Sequence, residues 1–306
     1  MPTDIYTTIN RLNPMQKEAV CQTDGPVLIL AGAGSGKTRV ITLRTAFLLE
    51  QGVPQSSILA VTFTNKAAKE MKDRVRKITG EKKSSSSLVI STFHSLCLTI
   101  LRQNIEHLGY KNNFTIYDTS DQLTLIRNVM SDFKHVGKSY KAEEIQEEIS
   151  RIKNGMPLLE KNAEEGTSVY IRGVYEKYQR TLKILNAVDF DDLLDLTVTL
   201  FKEHPGVLEK YQARFSYIMV DEYQDTNRVQ YTLIKQLSAM KKNLCVVGDD
   251  DQSIYGWRGA DLRNIIDFEK DFPDAKIIRL EQNYRSYGNI LEAANGVIKE
   301  NKNRMP

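Results

Sequence analysis

Residues 27–40 read VLILAGAGSGKTRV. The first four are apolar and two of them are β-branched, which predicts a buried strand. Gly32, Gly34 and Gly36 follow at alternate positions, where the absence of a Cβ lets the backbone turn tightly and approach a ligand. The apolar spacing after Thr38 predicts a helix. A strand, a glycine-rich loop, Lys37-Thr38 and a helix together form the pattern of a phosphate-binding P-loop.

This pattern predicts a role for each part of the loop. Its amides and the positive N-terminus of the helix suit phosphate oxygens. Lys37 is expected to reach the β- and γ-phosphates, and Thr38 to hold Mg²⁺. Ala31 stands where the strict pattern has glycine. The alternative is a glycine-rich turn that binds no ligand.

Composition places the chain among ordinary globular proteins. It has 306 residues, of which 41% are hydrophobic and 26% charged, and its net charge is +3. The basic excess falls within residues 1–108, around the P-loop, as expected for a segment that meets phosphates. The three cysteines form no CxxC pair and no apolar run approaches the ~20 residues of a membrane span, so we expect a reducing cytoplasm and no membrane partner.

A second acidic element is expected to complete the nucleotide site. The apolar run 217–220 predicts a strand that ends in Asp221-Glu222. Beside a P-loop, the first acid is expected to share the Mg²⁺ of Thr38 and the second to orient or deprotonate the attacking water. The alternative is a strand that ends in surface acids. Gln252, just after the strand predicted at 244–249, is well placed to sense the γ-phosphate.

Aromatic residues suggest a second ligand. Tyr255, Trp257 and Arg258 lie in a glycine-flanked loop, and planar groups beside a cation suit stacking on unpaired bases. Packing of Trp257 onto the core is the alternative. Phe63 and Asn65 lie at the carboxyl end of the strand predicted at 58–63, at the sheet edge where ligands bind in open α/β folds.

The remaining regions of the sequence also favour an α/β fold. Further strands are predicted at 88–92 and 275–280, and a helical, electroneutral segment at 110–188 reads as a domain inserted into the α/β core. From the sequence alone, a structural role for His94 and a role in contacting a ligand are equally favoured. Phe190, by residue type, is more often a core residue than a ligand contact.

Taken together, the motifs resemble those of the superfamily 1 helicases of the UvrD/Rep/PcrA family. The matching segments are residues 13–16, 31–38, 62–68, 92–95, 221–225, 248–261 and 282–286. The resemblance implies a RecA-like P-loop NTPase lobe with a parallel sheet, interrupted by an all-helical insertion. It implies an ATP-dependent helicase that moves 3′ to 5′ on single-stranded DNA and uses Mg²⁺, with single-strand/duplex junctions as substrates and repair or replication proteins as possible partners.

The resemblance also implies residue roles. Gln16 would read adenine, Tyr284 would stack on it, Gln252 would couple to the γ-phosphate, and Arg285 would act as an arginine finger. Nucleotide contacts are expected from Gln16, Gly32, Ala33, Gly34, Ser35, Gly36, Lys37, Thr38, Arg39, Tyr284 and Arg285. The catalytic set is Lys37, Glu222, Gln252 and Arg285, and the metal set is Thr38 and Asp221. DNA contacts are expected from Phe63, Asn65, His94, Phe190, Tyr255, Trp257 and Arg258.

One departure from the family concerns length. Such helicases have two motor lobes with ATP between them, and the second has no counterpart here. We therefore expect an N-terminal fragment: a motor lobe at 1–109 and 189–290, the insertion at 110–188, and the start of a crossing at 291–306. A fragment of this kind is expected to bind nucleotide weakly and to unwind no DNA.

Two other functions remain open at this level. A different P-loop enzyme, such as a small-molecule kinase, would leave the aromatic loop and the insertion unexplained. A docking module without enzymatic activity would leave Glu222 unexplained. Stimulation of ATP hydrolysis by single-stranded DNA separates the first from a helicase, and capture of partners by residues 110–188 tests the second.

Overall fold

A computed structural model describes residues 4–80, 87–133, 140–162, 164–256 and 259–300. The chain divides into two compact units. The first comprises Met1–Phe93, Glu209–Asn227 and Ile234–Pro306, and the second comprises His94–Leu208 and Arg228–Leu233.

Strands form a parallel sheet in the first unit. The strands of the described residues are β1 Val27–Ala31, β2 Ile58–Thr62, β3 Val89–Thr92, β4 Thr115–Ile116, β5 Ala187–Val188, β6 Tyr217–Val220, β7 Leu244–Gly248 and β8 Lys276–Leu280. Six of them form one sheet in the order β3-β2-β6-β7-β1-β8, and every pairing in it is parallel. β1, β2 and β7 are buried at every position, as expected for strands covered on both faces.

Fourteen α-helices lie in the described part of the chain, and several of them begin at capping residues that the sequence shows. Those of the described residues are α1 Ile5–Asn10, α2 Pro14–Cys21, α3 Lys37–Glu50, α4 Asn65–Thr79, α5 Phe93–Asn104, α6 Thr119–Ser131, α7 Ala142–Lys153, α8 Glu165–Ile184, α9 Asp192–Glu203, α10 Pro205–Arg214, α11 Arg228–Ser238, α12 Arg263–Ile266, α13 Phe268–Asp271 and α14 Gly288–Ile298. Asn13 caps α2 with Pro14 at its first position, and Thr64 caps α4. In the described part of the chain, no helix is both long and apolar enough to cross a bilayer.

The core of the first unit lies between the sheet and its helices. Val27 and Ile29 of β1 pack in one cluster with Val40 and Ile41 of α3 and with Met219 of β6. Because each of these side chains is at most 2% exposed, the strand before the P-loop and the helix after it are both fixed by burial. The loop between them is thereby held at both ends.

The second unit is mainly helical. Helices α6, α7 and α8 share one apolar core, to which Ile126, Ile145 and Val174 contribute. β4 pairs in parallel with β5, so short strands stand near both ends of the segment that we expected to be all-helical. The domain boundaries at residues 110 and 188 stay a prediction, and so does the crossing at 291–306, where α14 buries none of its residues.

Candidate functional site

The P-loop spans the gap between β1 and α3. Gly34 has φ +72° and Gly36 has φ +96°, a left-handed backbone that favours glycine. A Cβ added to Gly34 would lie 2.7 Å from both Cβ of Arg285 and Nδ2 of Asn283. Glycine is therefore required at this position for two reasons: the backbone is left-handed, and the segment that contains Asn283 and Arg285 approaches closely. The amides of the first turn of α3 have no acceptor within the helix, which suits an anion at this end.

Lys37 is held by two oxygens in this structure. Its Nζ lies 3.0 Å from the carbonyl oxygen of Ala31 and 3.1 Å from Oδ2 of Asp249. The same Oδ2 accepts a hydrogen bond from Nε2 of Gln252 at 2.6 Å. Burial raises the pKa of Asp249, and the nearby Lys37 opposes that shift. Sequence analysis assigned Asp249 no role, although it directly follows β7 at the edge where the site was expected.

The acidic pair follows β6. Asp221 is 4% exposed, and burial, reinforced by the charge of Glu222, raises its pKa to about 7. Glu222 has φ +51°, a strained backbone for a residue with a side chain, and such strain is common at functional sites. Nε2 of Gln224 donates to Oε2 of Glu222 at 2.9 Å, and Oε1 of Gln224 accepts from the amide of Asp249 at 3.0 Å. Gln224, which sequence analysis did not single out, thus connects the ends of two adjacent strands.

A cleft of about 470 Å³ brings together both predicted metal ligands and two of the four predicted catalytic residues, whereas Lys37 and Arg285 are not part of its lining. Thr38, Asp221, Glu222 and Gln252 all line it. The hydroxyl of Thr38 and the carboxylate of Asp221 are oxygen donors of the kind that Mg²⁺ prefers, so the donor set fits that ion. Their assignment as metal ligands stays a prediction.

The two residues that we predict to contact adenine both bond to the P-loop, Gln16 at Ser35 and Tyr284 at Gly34. Gln16 is 2% exposed, and its Nε2 donates to the carbonyl oxygen of Ser35 at 2.8 Å. Its amide nitrogen therefore contacts the P-loop in this conformation. The ring of Tyr284 is 57% exposed, while its hydroxyl accepts from Nδ2 of Asn13 and donates to Oε1 of Gln282, both at 2.8 Å. An exposed ring with an anchored hydroxyl suits stacking, and the adenine contact itself stays a prediction.

Asn283 joins the segment after β8 to the P-loop. Its Nδ2 donates to the carbonyl oxygen of Ala33, and its Oδ1 accepts from the amides of Arg285 and Ser286, each at 2.8 Å. The amide of Tyr284 donates to the carbonyl oxygen of Gly34 at 3.0 Å. The backbone of Arg285 is thereby fixed against the loop that would hold the phosphates. Sequence analysis missed this residue because its contact crosses 250 positions of the chain.

The remaining phosphate-site candidates differ in exposure. Gly32 and Ala33 are exposed in the loop. Ser35 is buried and its Oγ donates to the carbonyl oxygen of Gly32 at 2.7 Å. Arg39 is exposed in the first turn of α3, where its guanidinium is accessible to solvent or to a ligand.

Three DNA-contact candidates of the first unit can be placed. Phe63 lines the cleft and packs edge-on against Phe93, with ring centroids 5.9 Å apart. Tyr255 also lines the cleft, and Asn65 is the exposed first residue of α4. Trp257 and Arg258 lie outside the described residues.

The second unit holds the other two candidates. His94 and Phe190 stack on one another, with ring centroids 4.1 Å apart and an interplanar angle of 19°. Phe190 is 54% exposed, so it does not occupy a core position. Burial lowers the pKa of His94 to about 4, so the imidazole is neutral near pH 7.

A parallel six-stranded sheet, a strand–loop–helix P-loop after β1 and an acidic pair after β6, two strands away in the same sheet, define an α/β lobe of the RecA-like P-loop class. Residues 12–273 match the UvrD/REP helicase N-terminal domain, and the chain belongs to this family. It is 51% identical over 302 residues to the ATP-dependent DNA helicase PcrA of Staphylococcus aureus (strain COL). It is 52% identical over 302 residues to the ATP-dependent DNA helicase PcrA of Bacillus subtilis (strain 168). These alignments cover 97% of this chain and 41% of each relative, so the chain spans about two fifths of their length.

Proposed function

We propose that this chain is the ATP-binding motor lobe of an ATP-dependent DNA helicase that moves 3′ to 5′ along single-stranded DNA. The observation that carries the proposal is the cleft beside the P-loop, because Thr38, Asp221, Glu222 and Gln252 all line it. The names of the similar proteins support the same activity.

The chemistry follows from the character of these side chains. Lys37 stabilises the negative charge of the β- and γ-phosphates, and Glu222 accepts a proton from the attacking water or orients it. Gln252 contacts the γ-phosphate and reports its presence to the loop that carries Tyr255. Arg285, tied to the P-loop through Asn283, stabilises the charge that develops in the transition state. Mg²⁺, held by Thr38 and Asp221, would supply charge neutralisation at the phosphate oxygens.

The other contacts are assigned to the two ligands. Gln16 and Tyr284 contact adenine, and Gly32 to Arg39 contact the phosphates. Phe63, Asn65, Tyr255, Trp257 and Arg258 contact single-stranded DNA from the first unit, and His94 and Phe190 from the second. Aromatic rings provide stacking surfaces that accept every base, as a translocating motor requires.

The wider biology is part of the same proposal. We place the protein in the cytoplasm, with single-strand/duplex junctions as substrates and repair or replication proteins as partners. We also propose that residues 110–188 form a domain inserted between the two parts of the motor lobe.

The test is the rate of ATP hydrolysis by the intact, full-length protein, measured with and without oligo(dT). We expect DNA to stimulate turnover, and Glu222→Gln to abolish turnover while nucleotide still binds. A rate of ATP hydrolysis that DNA does not change would favour a P-loop enzyme of another kind.

A further inference from the structure

A buried lysine in the second unit has no part in the proposed ATP chemistry. Lys153, the last residue of α7, is 2% exposed. Its Nζ lies 2.5 Å from Oδ2 of Asp189 and 2.7 Å from Oδ1 of Asp192. Asp189 and Asp192 are themselves at most 2% exposed, so an ammonium and two carboxylates share one dry site.

Hydrogen bonds satisfy all four carboxylate oxygens. The amide of Asp189 donates to Oδ2 of Asp192, and the amide of Asp192 donates to Oδ1 of Asp189, both at 2.9 Å. The hydroxyl of Tyr178 donates to Oδ2 of Asp189, and Nε2 of Gln179 donates to Oδ1 of Asp192, again at 2.9 Å. The turn from Asp189 to Asp192 is therefore closed on itself and tied to α7 and α8.

Such a cluster is costly to bury. Two carboxylates and one ammonium carry a net charge of −1, and apolar residues of similar volume often stabilise a core equally well. Burial raises the pKa of Asp192 to about 6 against the opposing effect of Lys153. Although burial acts to lower it, the pKa of Lys153 is raised by the two carboxylates, so the lysine stays charged. A role beyond filling the core would explain why charges stand here.

The two aspartates of the cluster flank one exposed aromatic residue in the sequence. Phe190 lies between the two aspartates of the turn, and its ring is 54% exposed and stacked on His94. The third acid of the turn, Asp191, accepts a hydrogen bond from Nδ2 of Asn154 at 3.0 Å. Consecutive residues at the end of α7, Lys153 and Asn154, thus hold both sides of Phe190. Because a half-exposed ring gains little orientation from burial, its direction depends on this backbone and on His94.

We propose that Lys153 is a positioning residue for DNA binding: through Asp189 and Asp192 it fixes the turn that presents Phe190, stacked on His94, to a base of single-stranded DNA. This inference rests on the proposed function. It predicts that the loss of Lys153 weakens DNA binding only while the Phe190 ring is present.

The test is a double-mutant cycle on single-stranded DNA affinity. Binding of fluorescein-labelled oligo(dT) is measured by anisotropy for the wild type, Phe190→Ala, Lys153→Met and the double variant. Lys177→Met is the matched control, because Lys177 forms an exposed pair with Asp132 at 2.7 Å in the same unit. Circular dichroism of each variant verifies that it is folded.

A second variant keeps the test decisive. Lys153→Met leaves two buried carboxylates without a cation, and if circular dichroism shows that it is unfolded, Tyr178→Phe replaces it in the cycle. Tyr178→Phe removes one hydroxyl from the cluster and keeps the ring, so the turn is loosened without an unpaired charge. ADP binding to each variant is measured in parallel as a readout of the nucleotide site.

We expect Phe190→Ala and Lys153→Met each to weaken oligo(dT) binding roughly fivefold or more, the scale of one lost base stack. The double variant should bind within about twofold of Phe190→Ala, and Tyr178→Phe should follow the same coupling with a smaller loss of about twofold. Lys177→Met should bind as the wild type does.

Losses that multiply in the double variant would overturn the positioning role and leave a merely structural cluster. Wild-type DNA affinity in a folded Lys153→Met variant, or in Tyr178→Phe when that variant replaces it, would also overturn the inference. Wild-type affinity in Phe190→Ala would remove Phe190 from the DNA site and overturn the inference with it. Failure of the proposed function itself is distinguishable, because then oligo(dT) does not bind the wild type, whether or not ADP binds.

Discussion

The Nζ atom of Lys37 lies 3.1 Å from Oδ2 of Asp249, the same oxygen that accepts the Nε2 hydrogen bond of Gln252. One carboxylate oxygen therefore engages both groups that we assign to the β- and γ-phosphates. A phosphate bound at the P-loop would compete with this carboxylate for both partners.

Asp249→Asn should relieve that competition. With the negative charge of this nearly buried pair removed, Lys37 is freer to meet phosphate. We expect ADP affinity to rise about two- to fivefold, the net scale of one intramolecular hydrogen bond. Isothermal titration calorimetry measures it. Asp250→Asn, at the next position, is the control. Unchanged or weaker ADP binding in Asp249→Asn would show that the pair does not restrain Lys37.

Gly34→Ala should impair the nucleotide site more than the fold. The new methyl group must adopt φ +72° and would lie 2.7 Å from Cβ of Arg285, so the loop or the segment after β8 must move. We expect ADP affinity to fall about tenfold or more. Gly52→Ala isolates the backbone cost, because Gly52 has φ +83° and no atom lies within 4 Å of the added methyl. That control should lose roughly 1 kcal/mol of stability and no affinity. Equal ADP affinity in the two variants would argue against the close approach.

Asn283→Ala should separate Arg285 from the P-loop. Three hydrogen bonds are lost from one side chain, and the backbone of Arg285 is no longer fixed. We expect affinity for a non-hydrolysable ATP analogue to fall roughly fivefold, and ADP affinity to fall less, because the γ-phosphate is the group that we assign to Arg285. Asn289→Ala, an exposed asparagine of α14, should leave both affinities unchanged. If ATP-analogue and ADP affinities fell equally, Asn283 would serve the P-loop alone.

His94 should make the stability of the protein depend on pH. Its pKa is lowered to about 4 in the fold, against 6.5 for the free side chain, so the unfolded chain binds the proton more tightly. The stabilisation is complete above pH 6.5 and is lost as the pH falls toward 4. Between pH 7 and pH 5 we expect the free energy of unfolding to fall by ~1–2 kcal/mol more in the wild type than in His94→Phe. Urea titration at the two pH values measures this difference. If the free energy of unfolding changed with pH by the same amount in both proteins, a group other than His94 would be responsible for the change.

Much of the fold could be predicted from local pattern. The sheet strands β1, β2 and β7 are apolar runs followed by turn or capping residues, and the structure places a strand at each. β4 and β5 were not predicted, because a two-residue strand carries no periodicity. Their pairing depends on contacts across the chain.

The residues of the candidate site also fall into two groups, those that a local motif identifies and those that only the structure identifies. Local sequence motifs were sufficient to predict roles for Lys37, Thr38, Asp221 and Glu222. Asp249, Gln224 and Asn283 act through long-range contacts, such as the 212 positions between Lys37 and Asp249, and nothing in their neighbouring residues identifies the partner. The exposure of Phe190 also required the structure, since phenylalanine is by type a core residue.

The central claim is that a nucleoside triphosphate and its Mg²⁺ bind in the cleft lined by Thr38 and Asp221. The most direct measurement is the affinity of a fluorescent ATP analogue with and without Mg²⁺, in the wild type and in Asp221→Asn. We predict that Mg²⁺ tightens binding to the wild type and that Asp221→Asn loses this enhancement while it retains metal-free binding. An equal enhancement by Mg²⁺ in both proteins would contradict the account.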